Sequence, residues 1–240
     1  MNLAFIGTGN VSTRMSIAAQ VAGHTIVEKW NYHLSPIDNV TIDADAYIIC
    51  VTDDALPNVA AEIVKGREDK LFIHTAGSMS IDVFPTEHRA VMWPMQTLSK
   101  NKEIDFSQVP LIIEANNVAD LQRVRELAES ISNYVRTQSE EERKYMHLAS
   151  VICNNFANHC YDLANEILKA HNIPFSTLIP LIDETAHKVH DMSPREAQTG
   201  PARRHDKNVI QKHIEMLHLH PEIQKIYKLL THNIEYYDKL

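Results

Sequence analysis

The chain has 240 residues, 44% of them hydrophobic and 22% charged, with 6 glycines and 10 prolines, a content that excludes a disordered or collagen-like chain. Its formal charge of −8, from 31 acidic and 23 basic residues, opposes binding to a phosphate backbone, so nucleic acid is not expected as a partner. The opening MNLAFIGTGN lacks a basic segment ahead of an apolar run, and no apolar run reaches the roughly 18 residues of a membrane span, so a cytoplasmic protein without membrane association is expected.

Short apolar runs at residues 3–6, 25–30, 47–51, 71–74, 90–93 and 111–113 alternate with helical stretches. This alternation predicts βαβ units and an α/β, doubly wound, mostly parallel sheet. Beyond Ser139 the strand pattern disappears, and Glu140, Glu141 and Glu142 open a helical pattern that runs to Asn172 and ends at the Ile173-Pro174 break. Further helices are expected over 175–192, 206–217 and 221–238, separated by Ser193-Pro194, Thr199-Gly200-Pro201 and His220-Pro221. The expected organisation is a nucleotide-binding domain over 1–139 and an all-helical domain over 140–240.

Gly7-Thr8-Gly9-Asn10-Val11-Ser12 follows the first strand and precedes a helical stretch over 11–21, the context that a dinucleotide-binding turn requires. Gly7 permits a tight turn and Gly9 lets a pyrophosphate approach the backbone. Asn10 and Val11 then offer N–H groups at the positive end of the helix dipole. Ser12 stands where a third glycine is usual, and without a ligand the same turn is an ordinary strand-to-helix connection. The second strand is followed too closely by the third for the usual helix between them. Glu28 lies about 20 residues beyond the glycines, where an acid can bind the ribose of NAD. Lys29 and His33 are the nearby cations for the 2′-phosphate of NADP.

In a doubly wound sheet the ligand lies beyond the carboxyl ends of the strands. Three such ends carry short polar groups: Val51-Thr52-Asp53-Asp54, His74-Thr75-Ala76-Gly77-Ser78 and Pro94-Met95-Gln96-Thr97. Thr52, Ala76 and Gly77 are the further cofactor contacts expected there, although each segment also reads as ordinary turn chemistry. Cys50, inside the run 47–51, is expected to be a reduced structural thiol, and Cys50, Cys153 and Cys160 show no CxxC spacing.

On the long helix, His147, Ser150, Asn154, Asn158, Tyr161 and Asn165 fall within about 60° of one line at 100° per residue. Phe156, Leu163 and Ile167 gather on the opposite side with Ala149, Ile152, Cys153, Cys160 and Ala164, as the expected core face. A merely solvated stripe normally carries Lys and Glu. This one, made of Asn, Ser, His and Tyr, suits a cleft that hydrogen-bonds a ligand. Gln198-Thr199-Gly200-Pro201-Ala202-Arg203-Arg204-His205-Asp206 reads as a fixed turn whose arginines capture a carboxylate or phosphate, or as a loop capping the next helix through Asp206. Fourteen histidines invite a metal. Glu184, His187 and His190 share a helix face, and His218 and His220 lie close, but no full ligand set converges and no metal site is expected.

With the glycine turn, HTAGS, PMQT, the long helix and QTGPARRHD in this order, the chain resembles candidate NADP oxidoreductases over nearly its whole length. In that family a Rossmann-like first domain precedes a helical domain of unknown function. It is more distantly similar to pyrroline-5-carboxylate reductase, ketopantoate reductase and the deazaflavin-dependent NADP reductases. The close family's second turn reads L-T-G-P-x-x-R-G-D, which Thr199, Gly200, Pro201, Arg204 and Asp206 match while Gln198 and His205 depart. The segment that would receive a 2′-phosphate is here Asn31-Tyr32-His33. The catalytic lysine of the ketopantoate type has no counterpart, because Lys144 is paired at one turn with Leu148 rather than Asn.

The resemblance implies a Rossmann-like sheet followed by an all-α dimerisation domain, NADP as cofactor with NAD possible, and a homodimer formed through the long helices. Phe156, His159 and Leu163 would lie against the partner. The expected reaction is hydride transfer to or from a small carbonyl or imine compound carrying a carboxylate. Histidine titrates near neutrality, so His147 is the expected proton donor. Asn154 and Asn158 would orient the carbonyl, and Arg204, positioned by Asp206, would hold the carboxylate. The alternative is a non-catalytic nucleotide-sensing or scaffold protein that keeps the fold with an impaired cofactor site.

Overall fold

The computed structural model describes residues 1–31 and 36–237, and its first half is a seven-stranded sheet in the order β2-β1-β3-β4-β5-β6-β7. The strands are β1 (Asn2–Ile6), β2 (Thr25–Trp30), β3 (Ala46–Ile49), β4 (Leu71–His74), β5 (Arg89–Pro94), β6 (Leu111–Ala115) and β7 (Val135–Thr137). All neighbours pair in parallel except β5 and β6. Strands β1, β3 and β4 are continuous apolar runs because helices cover both faces. On one face Leu3, Phe5, Ile48 and Ile73 pack with Met15 of α1 (Asn10–Val21) and Leu127 of α3 (Val118–Ile131). On the other, Ile6, Tyr47, Ile49 and Phe72 pack with Leu56 and Ile63 of α2 (Leu56–Ile63).

The chain leaves β1 through α1 to β2 on one side, then crosses back past β1 to β3 on the other. The carboxyl ends of β1 and β3 therefore form the switch point at which ligands bind in such sheets. Between β2 and β3 the described residues hold a single 3-10 turn, Ile37–Asn39, and no α-helix, the shortening that the sequence spacing predicts. Glu28 lies within β2 opposite Ala4, and its carboxylate accepts the Thr41 N–H at 2.6 Å. It braces this link and is not at the strand end where a ribose would lie. Tyr32 and His33 lie outside the described residues.

By their contacts the residues divide into two compact units, Met1–Val151 and Ile152–Leu240. Helix α4 (Glu140–Ser150) belongs to the first and starts at a capping box: the Ser139 hydroxyl accepts the Glu142 N–H, and the Glu142 carboxylate accepts the Ser139 N–H at 2.8 Å. A π-helical segment, Val151–Phe156, leads into α5 (Ala157–Ala170). The second unit continues with α6 (Ile179–Asp191), α7 (Pro194–Ala197), α8 (Lys207–Met216) and α9 (Pro221–Tyr237). Its buried apolar residues include Ala202, Leu217 and Ile223, while Ile152, Phe156, Leu181 and Leu229 stay exposed.

Candidate functional site

At the switch point two glycines face opposite environments. Gly7 has φ +111°, and a Cβ there would lie 2.3 Å from the Cys50 carbonyl oxygen. Its N–H donates to the Trp30 carbonyl at 2.9 Å, while the Cys50 N–H donates to Ile6 at 2.7 Å. Gly7 thus sits where the ends of β1, β2 and β3 converge, and only a residue without a side chain fits. Gly9 is the N-cap of α1, and a Cβ there would meet nothing within 4 Å. No side chain caps this helix and no acid stands in its first turn. Its start therefore presents backbone donors and a positive dipole end to open space, a cradle that suits a phosphate. Ser12 is 1% exposed, so the position taken by a third glycine elsewhere also demands a small residue here.

The segment after β5 is tied across this helix start. Arg14 donates to the carbonyls of Ser99 (2.8 Å) and Lys100 (2.7 Å), and the Asn10 side chain accepts the Lys100 N–H at 3.2 Å. The Asn10 side chain is thereby committed to the loop, and Val11 follows it in the first turn of α1.

Beyond β3, the Thr52 carbonyl accepts the N–H groups of Ala55 and Leu56, and Asp53 accepts the Ser78 hydroxyl at 2.7 Å, joining the two loops. Burial pushes the Cys50 thiol up to about 12, against a hydrogen bond from Thr75, so it stays protonated. At the end of β4, His74 is fully buried and its Nδ1 faces the Ala76 N–H at 3.2 Å. Burial first, and the Arg143 charge second, push its pKa down to about 3, so the ring is neutral. Gly77 is packed against Trp93, with 2.6 Å between its notional Cβ and the indole. Ala76 and Gly77 therefore lie in a loop with fixed geometry.

Arg143 of α4 provides most of that fixing and was not legible as a site residue. It is completely buried, donating to Glu114 at 2.7 and 3.1 Å and to the carbonyls of Gly77 (3.0 Å) and Met79 (2.9 Å). One turn on, the His147 ring lies 5.8 Å from Trp93. The sequence signal was concealed because Arg143 stands in the charged run EEERK, which reads as a solvated helix start.

Of the catalytic residues expected from sequence, His147 belongs to the first unit, and Asn154, Asn158, Arg204 and Asp206 to the second. The polar stripe is not one straight line, because the i→i+5 bonds of the π segment turn less per residue than an α-helix. Ser150 bonds back to the Met146 carbonyl at 2.8 Å, and the Asn154 amide contacts Asn155 at 3.5 Å. Within the second unit, Asn158, Tyr161 and Asn165 line a cavity of about 330 Å³ with His159, Asp162 and Phe175. Arg204 is exposed on the turn that Gly200 starts at φ +103°. Asp206 caps α8, accepting the Val209 N–H at 3.2 Å, as the capping reading of the turn predicts. Among the described residues no cluster of His, Cys, Asp or Glu could hold a metal, and no helix is long and apolar enough to cross a membrane.

The family described as "Domain of unknown function (DUF2520)" matches residues 109–234. Among solved structures, a candidate NADP oxidoreductase from Bacteroides fragilis is 38% identical, with a TM-score of 0.91 over 98% of this chain and 98% of its own. An imine reductase from Myxococcus stipitatus, solved with NADP+, has a TM-score of 0.65 at 14% identity over 100% of this chain and 93% of its own. Pyrroline carboxylate reductase from Plasmodium falciparum, with NADP bound, has a TM-score of 0.57 at 14% identity over 98% and 97%. The last two likenesses show the Rossmann-like fold and its helical second half. No curated protein matches the chain in sequence.

Proposed function

We propose that this chain, which belongs to the DUF2520 family, is an NADP-dependent oxidoreductase acting on a small carbonyl or imine compound that carries a carboxylate. The observation that carries the reading is the glycine pair: Gly7 held against Cys50 by the fold, and Gly9 open above an uncapped helix start. The Bacteroides fragilis relative supports the cofactor class. The strand end favours NADP over NAD, because Trp30-Asn31 offers no carboxylate for a ribose and Glu28 is engaged with Thr41.

Gly9, Asn10 and Val11 would hold the pyrophosphate through backbone N–H groups. Thr52, Ala76 and Gly77 would line the path toward the nicotinamide. When bound, the reduced cofactor supplies a hydride to the carbon of a carbonyl or imine. The oxygen or nitrogen of that group needs a proton, and His147, held against Trp93, is the donor in this reading. Asn154 and Asn158 orient the reacting group, and Arg204, on a turn fixed by Gly200 and the Asp206 cap, holds the carboxylate. The exposed apolar residues Ile152, Phe156 and Leu181 support a homodimer formed through the helical half, which sedimentation would show as twice the monomer mass.

The lack of an α-helix between β2 and β3 among the described residues favours a second reading, a nucleotide sensor or scaffold without turnover. Calorimetric titration with NADPH and NADH, followed by nicotinamide oxidation in the presence of carboxylate-bearing imines and carbonyl acids, separates the two. Tighter NADPH binding with turnover supports the enzyme, and binding without turnover on any such compound supports the sensor.

A further inference from the structure

Strand β5 ends at Pro94 and β6 begins at Leu111, and although an antiparallel pair can be joined by two residues, the whole of 95–110 lies between them. Connections of this length within a compact unit are usually functional loops. This one leaves the carboxyl end of β5, reaches the start of α1 and returns to β6. Leu98 and Ile104 pack on the core cluster that contains Met15 and Leu127, and Phe106 and Val109 are buried in it. Between Leu98 and Ile104, residues 99–103 form an exposed arc.

Three hydrogen bonds fix this arc to α1. Arg14 donates from Nε to the Ser99 carbonyl at 2.8 Å and from Nη2 to the Lys100 carbonyl at 2.7 Å, and Asn10 Oδ1 accepts the Lys100 N–H at 3.2 Å. Asn10 is the first residue of α1, so the Lys100 backbone is held beside the turn whose own N–H groups have no intrahelical acceptor. The arc carries two cations, Lys100 and Lys102, against one acid, Glu103. Among the described residues neither ammonium has a hydrogen-bond or ion-pair partner, whereas Lys65, Lys144 and Lys225 each pair with a glutamate. Lys100 is the one bonded to Asn10, and a lysine's flexible four-carbon stem lets its ammonium reach an anion seated at that turn. The arc comes to α1 from the β5 side. Strand β2, whose end receives the 2′-phosphate of NADP in such sheets, lies at the opposite edge, beyond β1.

We propose that Lys100 supplies the cation for the dinucleotide pyrophosphate at the start of α1, with Arg14 as the positioning residue that fixes its backbone. The inference rests on the dinucleotide reading and adds to it a contact shared by NADPH and NADH. The backbone N–H groups of the helix start give the site direction, and the ammonium, a point charge, adds attraction in a chain whose formal charge is −8.

The test is calorimetric titration of the full chain with NADPH and with NADH at two ionic strengths, with thermal unfolding in parallel. Lys100→Met removes the charge and keeps most of the stem, and it is expected to weaken both nucleotides by the same factor, at least about threefold, at an unchanged melting temperature. The same variant flattens the dependence of Kd on salt, because a screened attraction has been removed. Lys100→Arg restores affinity to within about twofold of the unsubstituted protein. Arg14→Met weakens both nucleotides as well, and adding Lys100→Met to it costs less than the two single losses combined. Lys65→Met, an equal change of net charge beyond the end of α2, leaves both affinities unchanged. Unchanged affinity in Lys100→Met while Gly9→Leu loses binding overturns this assignment alone and leaves the dinucleotide reading standing. A loss confined to NADPH places the lysine at the 2′-phosphate and overturns the assignment too, and absence of binding of either nucleotide to the unsubstituted protein overturns both.

Discussion

Arg143 and Glu114 form an ion pair 2.7 Å long in which the arginine is completely buried and the glutamate is 22% exposed, joining α4 to β6. The same guanidinium holds the carbonyls of Gly77 and Met79, so the loop after β4 takes its shape from a residue of α4, more than sixty positions further along the chain. Through this pair and the contact of His147 with Trp93, α4 belongs mechanically to the sheet unit.

Removing the counter-charge leaves a guanidinium buried without a carboxylate. Glu114→Gln is expected to destabilise the protein by about 3 kcal/mol in urea unfolding at neutral pH. Adding Arg143→Met should cost much less than the sum of the two single substitutions. Additivity would show that the pair acts as two independent side chains.

His74 gives a pH dependence with a definite sign. Its folded pKa of about 3 lies below the 6.5 of the unfolded chain, so the unfolded state takes up the proton first as pH falls. The contribution is complete above pH about 6.5 and diminishes as pH falls toward about 3. Between pH 7 and pH 5 it should remove about 2 kcal/mol of stability. His74→Asn keeps an acceptor for the Ala76 N–H and does not titrate, so its stability curve should be flatter over that interval. An unchanged slope would assign the acid sensitivity to other groups.

His205 occupies a left-handed conformation, φ +53°, at the position where the related turn carries glycine. A non-glycine residue is strained there. His205→Gly should raise stability by about 0.5–1 kcal/mol, allowing for glycine's larger unfolded-state entropy, as read from thermal unfolding. A lower melting temperature would mean that the histidine's contacts outweigh the strain.

For a carboxylate-bearing imine or carbonyl substrate, His147→Gln should reduce kcat about a hundredfold or more with little change in substrate affinity. Arg204→Ala should chiefly raise KM, by about tenfold, and should abolish discrimination between the acid and its amide. Equal turnover in the His147 variant would remove it as proton donor, and equal affinity for acid and amide in the unsubstituted protein would remove Arg204 as the carboxylate contact.

Much of the fold was legible because interior parallel strands are continuous apolar runs: residues 71–74 and 47–51 need no context to be read as strands. Strand β7, Val135–Thr137, is short and mostly solvent-exposed and carries no such signal. The antiparallel pairing of β6 was equally hidden, since orientation depends on the connection from β5 rather than on the strand's own residues. The glycine turn was visible because Gly7 is required by backbone geometry, whereas Arg143 was invisible because burial of a charge is decided by distant Glu114, Gly77 and Met79. Side-chain periodicity alone implies one straight polar face, and the π segment Val151–Phe156, set by hydrogen bonding rather than side-chain pattern, shifts its angular phase.

The central claim rests on the different roles of two glycines. Gly7→Ala should unfold the turn, because its Cβ would meet the Cys50 carbonyl, whereas a side chain at Gly9 enters open space. The most direct measurement is calorimetric titration of NADPH into the unsubstituted protein and into Gly9→Leu, with thermal unfolding of both in parallel. The account predicts saturable binding to the former, and at least a tenfold loss in Gly9→Leu at an unchanged melting temperature. No binding to the unsubstituted protein, or equal binding to both, would contradict it.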